Sequence, residues 1–246
     1  MKEKVVIIIP AYNEEGNIVR LLSSIKELKL DIPKKVIVVD DGSKDNTLAL
    51  AKKFKRKLNL QIIVHKSNKG IPQTFYDGLR AAAASASSKD IIFIIEGDNT
   101  SDLNLFQQII DKVRSGADVV VASRHIKGGS YKNFPFHRKY GSIFINFVLK
   151  AFFYTKGITD YTIFYRAYSV DVVKKALKKY GDGFITTKSF AANLEILLRL
   201  KGIAKKYDEV PMVYDYGLKR GKSKMKIGKA LLEYRELIVK KLLGRI

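Results

Sequence analysis

Two acidic residues, Glu96 and Asp98, follow an apolar run and are separated by a single glycine. Side chains two residues apart on an extended chain point to the same side, so both carboxylates face one space. They repel each other unless protons or a cation neutralise them, and Mg²⁺ or Mn²⁺ is a natural partner for carboxylate and phosphate oxygens. The alternative is an acidic pair that only solvates a turn.

A second acidic pair, Asp40 and Asp41, follows another apolar run. One of these carboxylates can accept hydrogen bonds from a base or ribose while its neighbour stabilises the turn, as Asp-Gly sequences often do. Lys69 stands before Gly70 and the start of a predicted helix, where a cation and free backbone N–H groups suit a phosphate. These residues are candidates for binding a nucleotide.

Basic residues surround the segment 125–137, which contains two adjacent glycines and several aromatic residues. They are Arg124, Lys127, Lys132 and Arg138. Arginine favours phosphate because its planar guanidinium binds two oxygens at once. Gly221, Ser223 and Lys224 form a second candidate anion site, and a solvated surface is the alternative for both.

Several common kinds of site are excluded by the sequence. The chain has no cysteine, so disulfides, thiolate zinc sites and cysteine nucleophiles are absent. His65, His125 and His137 show no metal-ligand spacing. Neither a P-loop nor a dinucleotide-binding glycine motif is present.

Strands and helices alternate in the first half of the chain. Continuous apolar runs predict strands at 5–9, 36–39, 62–64, 91–95 and 119–122, with helices at 13–28, 45–58, 72–84 and 103–113. Such alternation favours a mostly parallel sheet flanked by helices. Ligands of these sheets bind beyond the carboxyl ends of the strands. Residues 10–13, 40–43 and 96–100 should therefore converge on one crevice.

The second half is less regular. It predicts helices at 138–154, 170–179 and 187–200 and extended segments at 204–210 and 212–214. A final amphipathic helix has apolar residues three or four positions apart, namely Ile227, Leu231, Tyr234, Ile238 and Leu242. We therefore predict an α/β domain over residues 1–224 and a basic C-terminal helix over 225–246.

The charge of the chain indicates a polyanionic partner. The 246 residues carry a formal net charge of +22, and residues 219–246 contain ten Lys or Arg against two Glu. Nucleic acid, an anionic membrane surface and phosphorylated substrates all fit that balance. No stretch reaches the roughly 18 apolar residues that a spanning helix needs. We expect a soluble or peripheral protein in a reducing compartment.

The motifs together resemble family 2 glycosyltransferases, which have a GT-A (Rossmann-like) fold. The resemblance rests on the segments Ile9–Glu15, Val39–Thr47 and Glu96-Gly97-Asp98, the last at the position of the family's Asp-x-Asp metal motif. Later segments are similar to polyprenyl-phosphate glycosyltransferases, of which dolichyl-phosphate mannose synthases are one kind. These are residues 122–124, 128–129, Arg138, Ser142, Asp160, 166–167, 209–211 and 221–224.

The resemblance implies a role for each matching residue. The nucleotide would be held by Pro10, Ala11, Tyr12, Glu14 and Asp40, and the metal by Glu96, Asp98 and Thr100. The acceptor phosphate would contact Arg124, Arg138, Ser142 and Lys224. Asp98, Arg124 and Arg138 would be the catalytic residues.

Three positions depart from the family pattern. Glu96 replaces the usual Asp, and the segment 160–166 lacks a Ser-Gly pair before its aromatic residue. Leu218 stands where an Arg is typical, so Lys219 or Arg220 would have to substitute.

The implied activity is inverting, metal-dependent sugar transfer from GDP-mannose or a UDP-hexose to a polyprenyl (dolichyl) phosphate. A phosphate acceptor needs no general base, because its second pKa is about 6. The runner-up acceptor is a glycan hydroxyl, which requires a base, for which Asp160 and Glu195 are the candidates. A nucleic-acid-binding module explains the charge but not the acidic pairs, so no nucleic-acid partner is expected.

The location of the acceptor predicts where the protein acts. A basic amphipathic helix tends to lie at an anionic lipid surface, and the apolar helix over 143–154 is a second interfacial candidate. The alternative is that both helices pack on the domain or on a partner. Relatives often continue into transmembrane helices. We therefore expect peripheral binding at the cytoplasmic face, or a separate membrane protein as partner.

Overall fold

The computed structural model describes residues 3–221 and 227–244. Within them, nine strands form two sheets. The strands are β1 (Val5–Ala11), β2 (Lys34–Asp40), β3 (Leu60–Val64), β4 (Ile91–Ile94), β5 (Val119–Ser123), β6 (Ser130–Lys132), β7 (Arg166–Ser169), β8 (Tyr207–Pro211) and β9 (Val213–Asp215). Seven strands make the central sheet in the order β3-β2-β1-β4-β7-β5-β8, and β6 pairs with β9.

The central sheet is mostly parallel, as predicted. β1 pairs in parallel with β2 and β4, β2 with β3, and β5 with β8. β7 is antiparallel to both of its neighbours, β4 and β5. Because β1 is flanked by β2 and β4, the strand order reverses there, and a crevice opens at its carboxyl end.

Eight α-helices accompany the sheet in the described residues. They are α1 (Glu15–Glu27), α2 (Thr47–Lys52), α3 (Ile71–Ser85), α4 (Phe106–Arg114), α5 (Phe136–Phe153), α6 (Val170–Tyr180), α7 (Ala192–Leu200) and α8 (Ile227–Leu242). The largest differences from the predicted bounds are in α2, which ends at Lys52, and in α7, which begins at Ala192. Asn13 does not cap α1 as expected, because the cap position is Glu14 and Asn13 has a left-handed backbone (φ 51°).

The core lies on both faces of β1. Residues 5–9 are fully buried, which explains their continuous apolar sequence. α3 packs closely against this strand through Gly78, where an added Cβ would lie 2.6 Å from Cγ2 of Ile8. β1 is therefore tightly packed between β2 and β4, and this packing fixes the position of the residues that follow it.

Two strands, β6 and β7, were not predicted. β6 has three residues and lies in the segment expected to be a loop, and β7 has four residues that include Arg166. Such short segments contain too few positions for a periodic pattern to emerge. Arg166 is nevertheless buried. Its guanidinium donates hydrogen bonds to the carbonyl groups of Tyr161 and Asn193, which offset part of the cost of burying the charge.

The final helix is amphipathic, but its buried face differs from the predicted stripe. Ala230, Tyr234 and Leu237 are buried, together with Glu233, which accepts hydrogen bonds from the Lys188 N–H and the Ser189 hydroxyl. Of the predicted stripe, Ile227, Leu231 and Leu242 are exposed. No helix within the described residues is long and apolar enough to cross a membrane.

Candidate active site

The carboxyl ends of β1, β2 and β4 meet, as the sequence predicted. The Asp41 N–H donates to the Ala11 carbonyl (2.8 Å), and the Asn13 N–H donates to the Ser43 hydroxyl (2.9 Å). Gly97 lies against the backbone of Pro10, where an added Cβ would come within 2.4 Å of the carbonyl oxygen. The three predicted segments therefore line one crevice.

Asp41 uses both carboxylate oxygens within the fold. Oδ1 accepts the Lys69 N–H (2.8 Å) and lies 2.7 Å from Nδ1 of His65, while Oδ2 accepts the Gly70 N–H (2.9 Å). Asp41 thus orders the loop that carries Lys69, whose side chain is exposed. Of the two roles weighed for the Asp40-Asp41 pair, Asp41 has the structural one.

Asp40 is the carboxylate of this pair that is left for a ligand. Its side chain is buried, and Oδ2 accepts only a long hydrogen bond (3.4 Å) from the Ser43 N–H. Oδ1 is buried without a hydrogen-bond partner. A buried acceptor of this kind costs free energy until a donor satisfies it. An N–H or O–H of a nucleotide is such a donor.

The first-strand residues lie at the mouth of this crevice. Pro10 and Tyr12 are half-buried and Ala11 is buried. The Glu14 N–H donates to the Thr47 hydroxyl (2.7 Å), and Glu14 accepts the Asn17 side-chain amide at the same distance. Side chains of α1 and α2 thus hold this segment in place.

Glu96 and Asp98 lie side by side after β4. Oδ1 of Asp98 accepts the hydroxyl of Thr100 (2.6 Å), and Oδ2 pairs with the ammonium of Lys219. Glu96 accepts the Ser101 hydroxyl. Burial, and then repulsion by Asp98, raises the pKa of Glu96 to about 7. The pair therefore carries the electrostatic strain that a divalent cation relieves.

The donor chemistry of this site fits a hard cation. In the described ranges there is no group of three or more His, Cys, Asp or Glu side chains that could hold a metal. Two carboxylates and an adjacent hydroxyl are instead a partial shell, of the kind that Mg²⁺ completes with phosphate oxygens and water. Glu96 and Asp98 are the residues that would hold the metal, with Thr100 bonded to Asp98.

Arg124 is buried in an ion pair. Its Nε and Nη2 each lie 2.7 Å from an oxygen of Asp160, and Nη2 also donates to Thr162 at 2.7 Å. Burial alone would raise the pKa of Asp160 and lower that of Arg124, but the pairing outweighs it. The pKa of Asp160 falls far below its usual range and that of Arg124 rises. Asp160 therefore anchors Arg124 and is a weak base.

Two tyrosine rings flank this guanidinium, and they belong to a group of four aromatic side chains. We call Tyr131, Phe134, Tyr214 and Tyr216 the aromatic cluster; Phe134 lies 5.0 to 5.6 Å, centroid to centroid, from each of the other three. The guanidinium of Arg124 lies over the rings of Tyr131 (5.1 Å) and Tyr214 (5.6 Å). Such contacts hold the cation while leaving it charged.

The other predicted acceptor residues contact the same cluster. The hydroxyl groups of Ser142 and Tyr131 are 2.8 Å apart, and Arg138 donates to the Tyr216 hydroxyl (3.2 Å). The structure thus brings Arg124, Arg138 and Ser142 together. Lys224, with Ser223, lies outside the described residues.

The sequence did not predict a role for Tyr214, which lies between the acidic pair after β4 and the buried Arg124. The buried Tyr214 interacts with the Thr100 side chain, and its ring faces Arg124. Burial, followed by the charges of Asp98 and Glu96, holds its pKa well above the ordinary value. Tyr214 belongs to the three-residue strand β9, and its only sequence signal was an aromatic residue in a predicted extended segment.

Comparison with known proteins agrees with this geometry. A sequence profile for glycosyl transferase family 2 matches residues 6–177. A dolichol-phosphate mannosyltransferase of Pyrococcus furiosus is 30% identical over 236 residues, or 94% of this chain, which spans 61% of that protein's length. A UDP-N-acetylglucosamine–dolichyl-phosphate N-acetylglucosaminyltransferase of Methanococcus voltae is 29% identical over 98% of both chains.

Solved structures share the fold at low sequence identity. Glucosyl-3-phosphoglycerate synthase from Mycobacterium tuberculosis, in complex with Mn²⁺, UDP and glucosyl-3-phosphoglycerate, superposes with a TM-score of 0.63 at 17% identity over 99% of this chain and 80% of that one. TarS of S. aureus, residues 1–349 with UDP-GlcNAc, gives 0.59 at 20% identity over 98% and 66%. Because the family profile covers most of the chain and the architecture agrees, this protein belongs to glycosyl transferase family 2.

Proposed function

We propose that this protein transfers a sugar from a nucleotide-sugar to the phosphate of a polyprenyl phosphate at a membrane surface. The observation that carries the proposal is the position of Tyr214, whose side chain interacts with that of Thr100 and whose ring centroid lies 5.6 Å from the guanidinium of Arg124. One side chain therefore separates a candidate cation site from a buried arginine. Transfer between two anionic substrates requires these two kinds of site to be neighbours.

The relatives support this class of acceptor. The names of the proteins from P. furiosus and M. voltae both specify dolichyl or dolichol phosphate, whereas the sugars differ. A polyprenol monophosphomannose synthase of Mycolicibacterium smegmatis is 26% identical over 86% of this chain. The feature that these names share is a lipid phosphate. We therefore propose a lipid phosphate as the acceptor of this chain and do not propose a particular sugar.

The donor would lie at the carboxyl ends of β1 and β2. Asp40 Oδ1 would accept a hydrogen bond from the base or ribose, and the segment from Pro10 to Glu14 would line the nucleotide. A divalent cation held by Glu96 and Asp98 would neutralise the diphosphate as it leaves. Lys69, exposed on the loop that Asp41 orders, is available for a phosphate.

The acceptor phosphate would be held by Arg124, Arg138 and Ser142. One of its oxygens attacks the anomeric carbon from the face opposite the diphosphate, so the configuration inverts as the new C–O bond forms. The bond to the diphosphate breaks, and its electron pair leaves with the diphosphate. No proton has to be removed, because a phosphate monoester is largely ionised at pH 7.

The state of the two candidate bases favours a phosphate over a glycan hydroxyl. Asp160 is paired with Arg124, and its pKa is depressed. Glu195 is buried and accepts the N–H groups of Thr186 and Thr187 as well as the Thr186 hydroxyl. Both carboxylates are thus engaged in holding the fold, which leaves neither to deprotonate a sugar hydroxyl.

The exposed face of α5 supports action at a membrane. Asn146, Leu149 and Phe153 attach this helix to the domain. The remaining face and the turn after it expose large apolar side chains, namely Phe136, Tyr140, Ile143, Phe144, Phe147, Phe152 and Tyr154. An apolar face this large is typical of an interaction surface. The exposed Lys150 and Lys156 beside it suit an anionic lipid surface.

The proposal is tested by transfer of radiolabel from GDP-mannose, UDP-glucose and UDP-N-acetylglucosamine to polyprenyl phosphate. We expect label from one donor in the organic phase, abolished by EDTA and restored by Mg²⁺ or Mn²⁺. Arg124→Ala and Arg138→Ala should remove it, whereas Arg56→Ala, at an exposed arginine, should not. Label that appears only in water-soluble glycans would overturn the lipid acceptor.

A further inference from the structure

The segment 215–221, which we call the strap, crosses the candidate cation site. It begins at Asp215, whose carboxylate accepts the Gly217 N–H (2.9 Å) and the Asn133 amide (2.9 Å). A short 3-10 helix, Tyr216–Leu218, follows. Lys219 comes next, and its ammonium forms an ion pair with Oδ2 of Asp98. The strap therefore brings a positive charge to a predicted metal ligand.

The strap is attached to α1 on both sides of Lys219. The Asn17 side chain accepts the Arg220 N–H (3.1 Å) and donates to the Arg220 carbonyl (2.9 Å). Arg20 donates to the carbonyl of Leu218. These bonds fix the backbone that carries Lys219, so the entropic cost of placing its ammonium on Asp98 is reduced.

Both carboxylate oxygens of Asp98 have a partner. Oδ1 accepts the Thr100 hydroxyl and Oδ2 is taken by Lys219, and the two side chains of the pair are only 11% and 13% exposed. Each oxygen keeps a further lone pair, but a divalent cation bound there is repelled by the ammonium of Lys219, so one of the two partners has to give way. Lys219 is the one that can move, because its four-carbon side chain is flexible, whereas Thr100 is bonded from two residues away.

Lys219 also lies near the predicted nucleotide segment. Besides Asp98, the carboxylate whose charge acts on its ammonium is Glu14, from the segment after β1. A nucleotide diphosphate bound there would offer this ammonium a more highly charged partner than a single carboxylate. Diphosphate binding would thus draw Lys219 away from Asp98.

We propose that Lys219 is a tethered counter-ion that occupies Asp98 until a nucleoside diphosphate and a divalent cation replace it. Metal and nucleotide binding are then coupled through one side chain, and by linkage each ligand strengthens the other. Without nucleotide, the ammonium weakens binding of the cation, and with nucleotide it becomes a contact to the leaving diphosphate. This inference rests on the proposed donor site and deepens it.

The test is Mn²⁺ titration of the whole protein, followed by electron paramagnetic resonance, with and without GDP or UDP. Lys219→Met and Lys219→Gln should each bind Mn²⁺ on the order of tenfold more tightly than the wild type without nucleotide, since one charged hydrogen bond no longer competes. The strengthening of Mn²⁺ binding by nucleotide should shrink in both variants. Two variants guard against a local folding defect in one of them.

Two controls separate this mechanism from a general charge effect. Lys44→Met removes an exposed lysine whose N–H bonds to Asn13 at the same crevice, and it should change Mn²⁺ affinity by less than about twofold. Lys219→Arg keeps the charge and should behave as the wild type. An unchanged or weaker Mn²⁺ affinity in both Lys219→Met and Lys219→Gln would overturn the proposal.

Asp98→Asn distinguishes this proposal from the donor site on which it rests. If this variant loses Mn²⁺ binding but the Lys219 variants gain none, the metal site stands and only the counter-ion role fails. If Asp98→Asn binds Mn²⁺ as well as the wild type, the acidic pair is not the metal site and the proposed function fails with it.

Discussion

At the scale of single residues, charges are paired before any substrate arrives. Arg124 is neutralised by Asp160 and Asp98 by Lys219. The sequence placed Asp98 at the crevice, because strand ends converge, and singled out Arg124 as a candidate for binding phosphate. It did not predict the pairs, since contacts between residues 36 or 121 positions apart leave no local pattern.

Asp160→Asn tests the structural role of this carboxylate. Breaking a buried ion pair typically costs about 3–5 kcal/mol, and we expect a loss of that order in the free energy of unfolding at pH 7. Because the folded-state pKa of Asp160 lies below its ordinary 3.8, its contribution is complete above about pH 4 and is lost as pH falls toward the depressed folded value. Urea unfolding at pH 7 and pH 3.5 should show the difference shrinking. A difference that does not change with pH would contradict the ion pair.

Glu96→Gln should stabilise the protein when metal is absent. The pKa of Glu96 is raised from 4.5 to about 7, so its contribution to stability is present below pH 4.5 and lost as pH rises through 7. At pH 8 with EDTA, the neutral amide should raise Tm by a few degrees, at about 2–4 °C per kcal/mol. Thermal unfolding at pH 8 and pH 4.5 measures this, and the effect should be small at the lower pH. A lower Tm at pH 8 would contradict the repulsion.

At the scale of elements, apolar periodicity predicted the long helices and buried strands but not the short strands or the outer face of α8. Tyr234 was expected on the same stripe as Ile227 and Leu242, yet only Tyr234 is buried. The helix rests on Glu233, whose carboxylate binds Lys188 and Ser189. The buried face of α8 therefore includes a hydrogen-bonded carboxylate, and apolar periodicity does not predict the burial of a polar residue.

The exposed face of α5 leads to a prediction for membrane binding. Phe144→Ser combined with Phe147→Ser removes two side chains that are 68% and 72% exposed, so folding should be unaffected. Sedimentation with vesicles containing phosphatidylglycerol should show at least tenfold weaker binding, because each buried aromatic contributes about 1.5–3 kcal/mol. Leu149→Ser, on the buried face of the same helix, should instead lower Tm. Wild-type vesicle binding by the double variant would rule out this face.

At the scale of the whole molecule, the net charge of +22 acts over the entire surface. Vesicle binding should therefore weaken steeply between 50 and 500 mM NaCl, as the Debye length falls from about 14 Å to about 4 Å. Mn²⁺ binding in the partly enclosed crevice should change far less over the same range. Equal salt sensitivity of the two would show that long-range charge, and not the arrangement around Asp98, governs the metal.

The antiparallel strand β7 has a consequence for synthesis of the chain. On the ribosome, β1 to β4 are complete once residue 94 has emerged, and they can assemble into a four-stranded unit whose β4 edge is open. Within the described residues, the strand that covers this edge is β7, whose last residue is Ser169. For the intervening 75 residues the nascent chain carries an unpaired apolar edge, Ile91–Ile94, which is a template for aggregation. We expect a nascent chain whose last emerged residue lies between 100 and 160 to bind general chaperones, and one that has emerged beyond residue 180 to escape them.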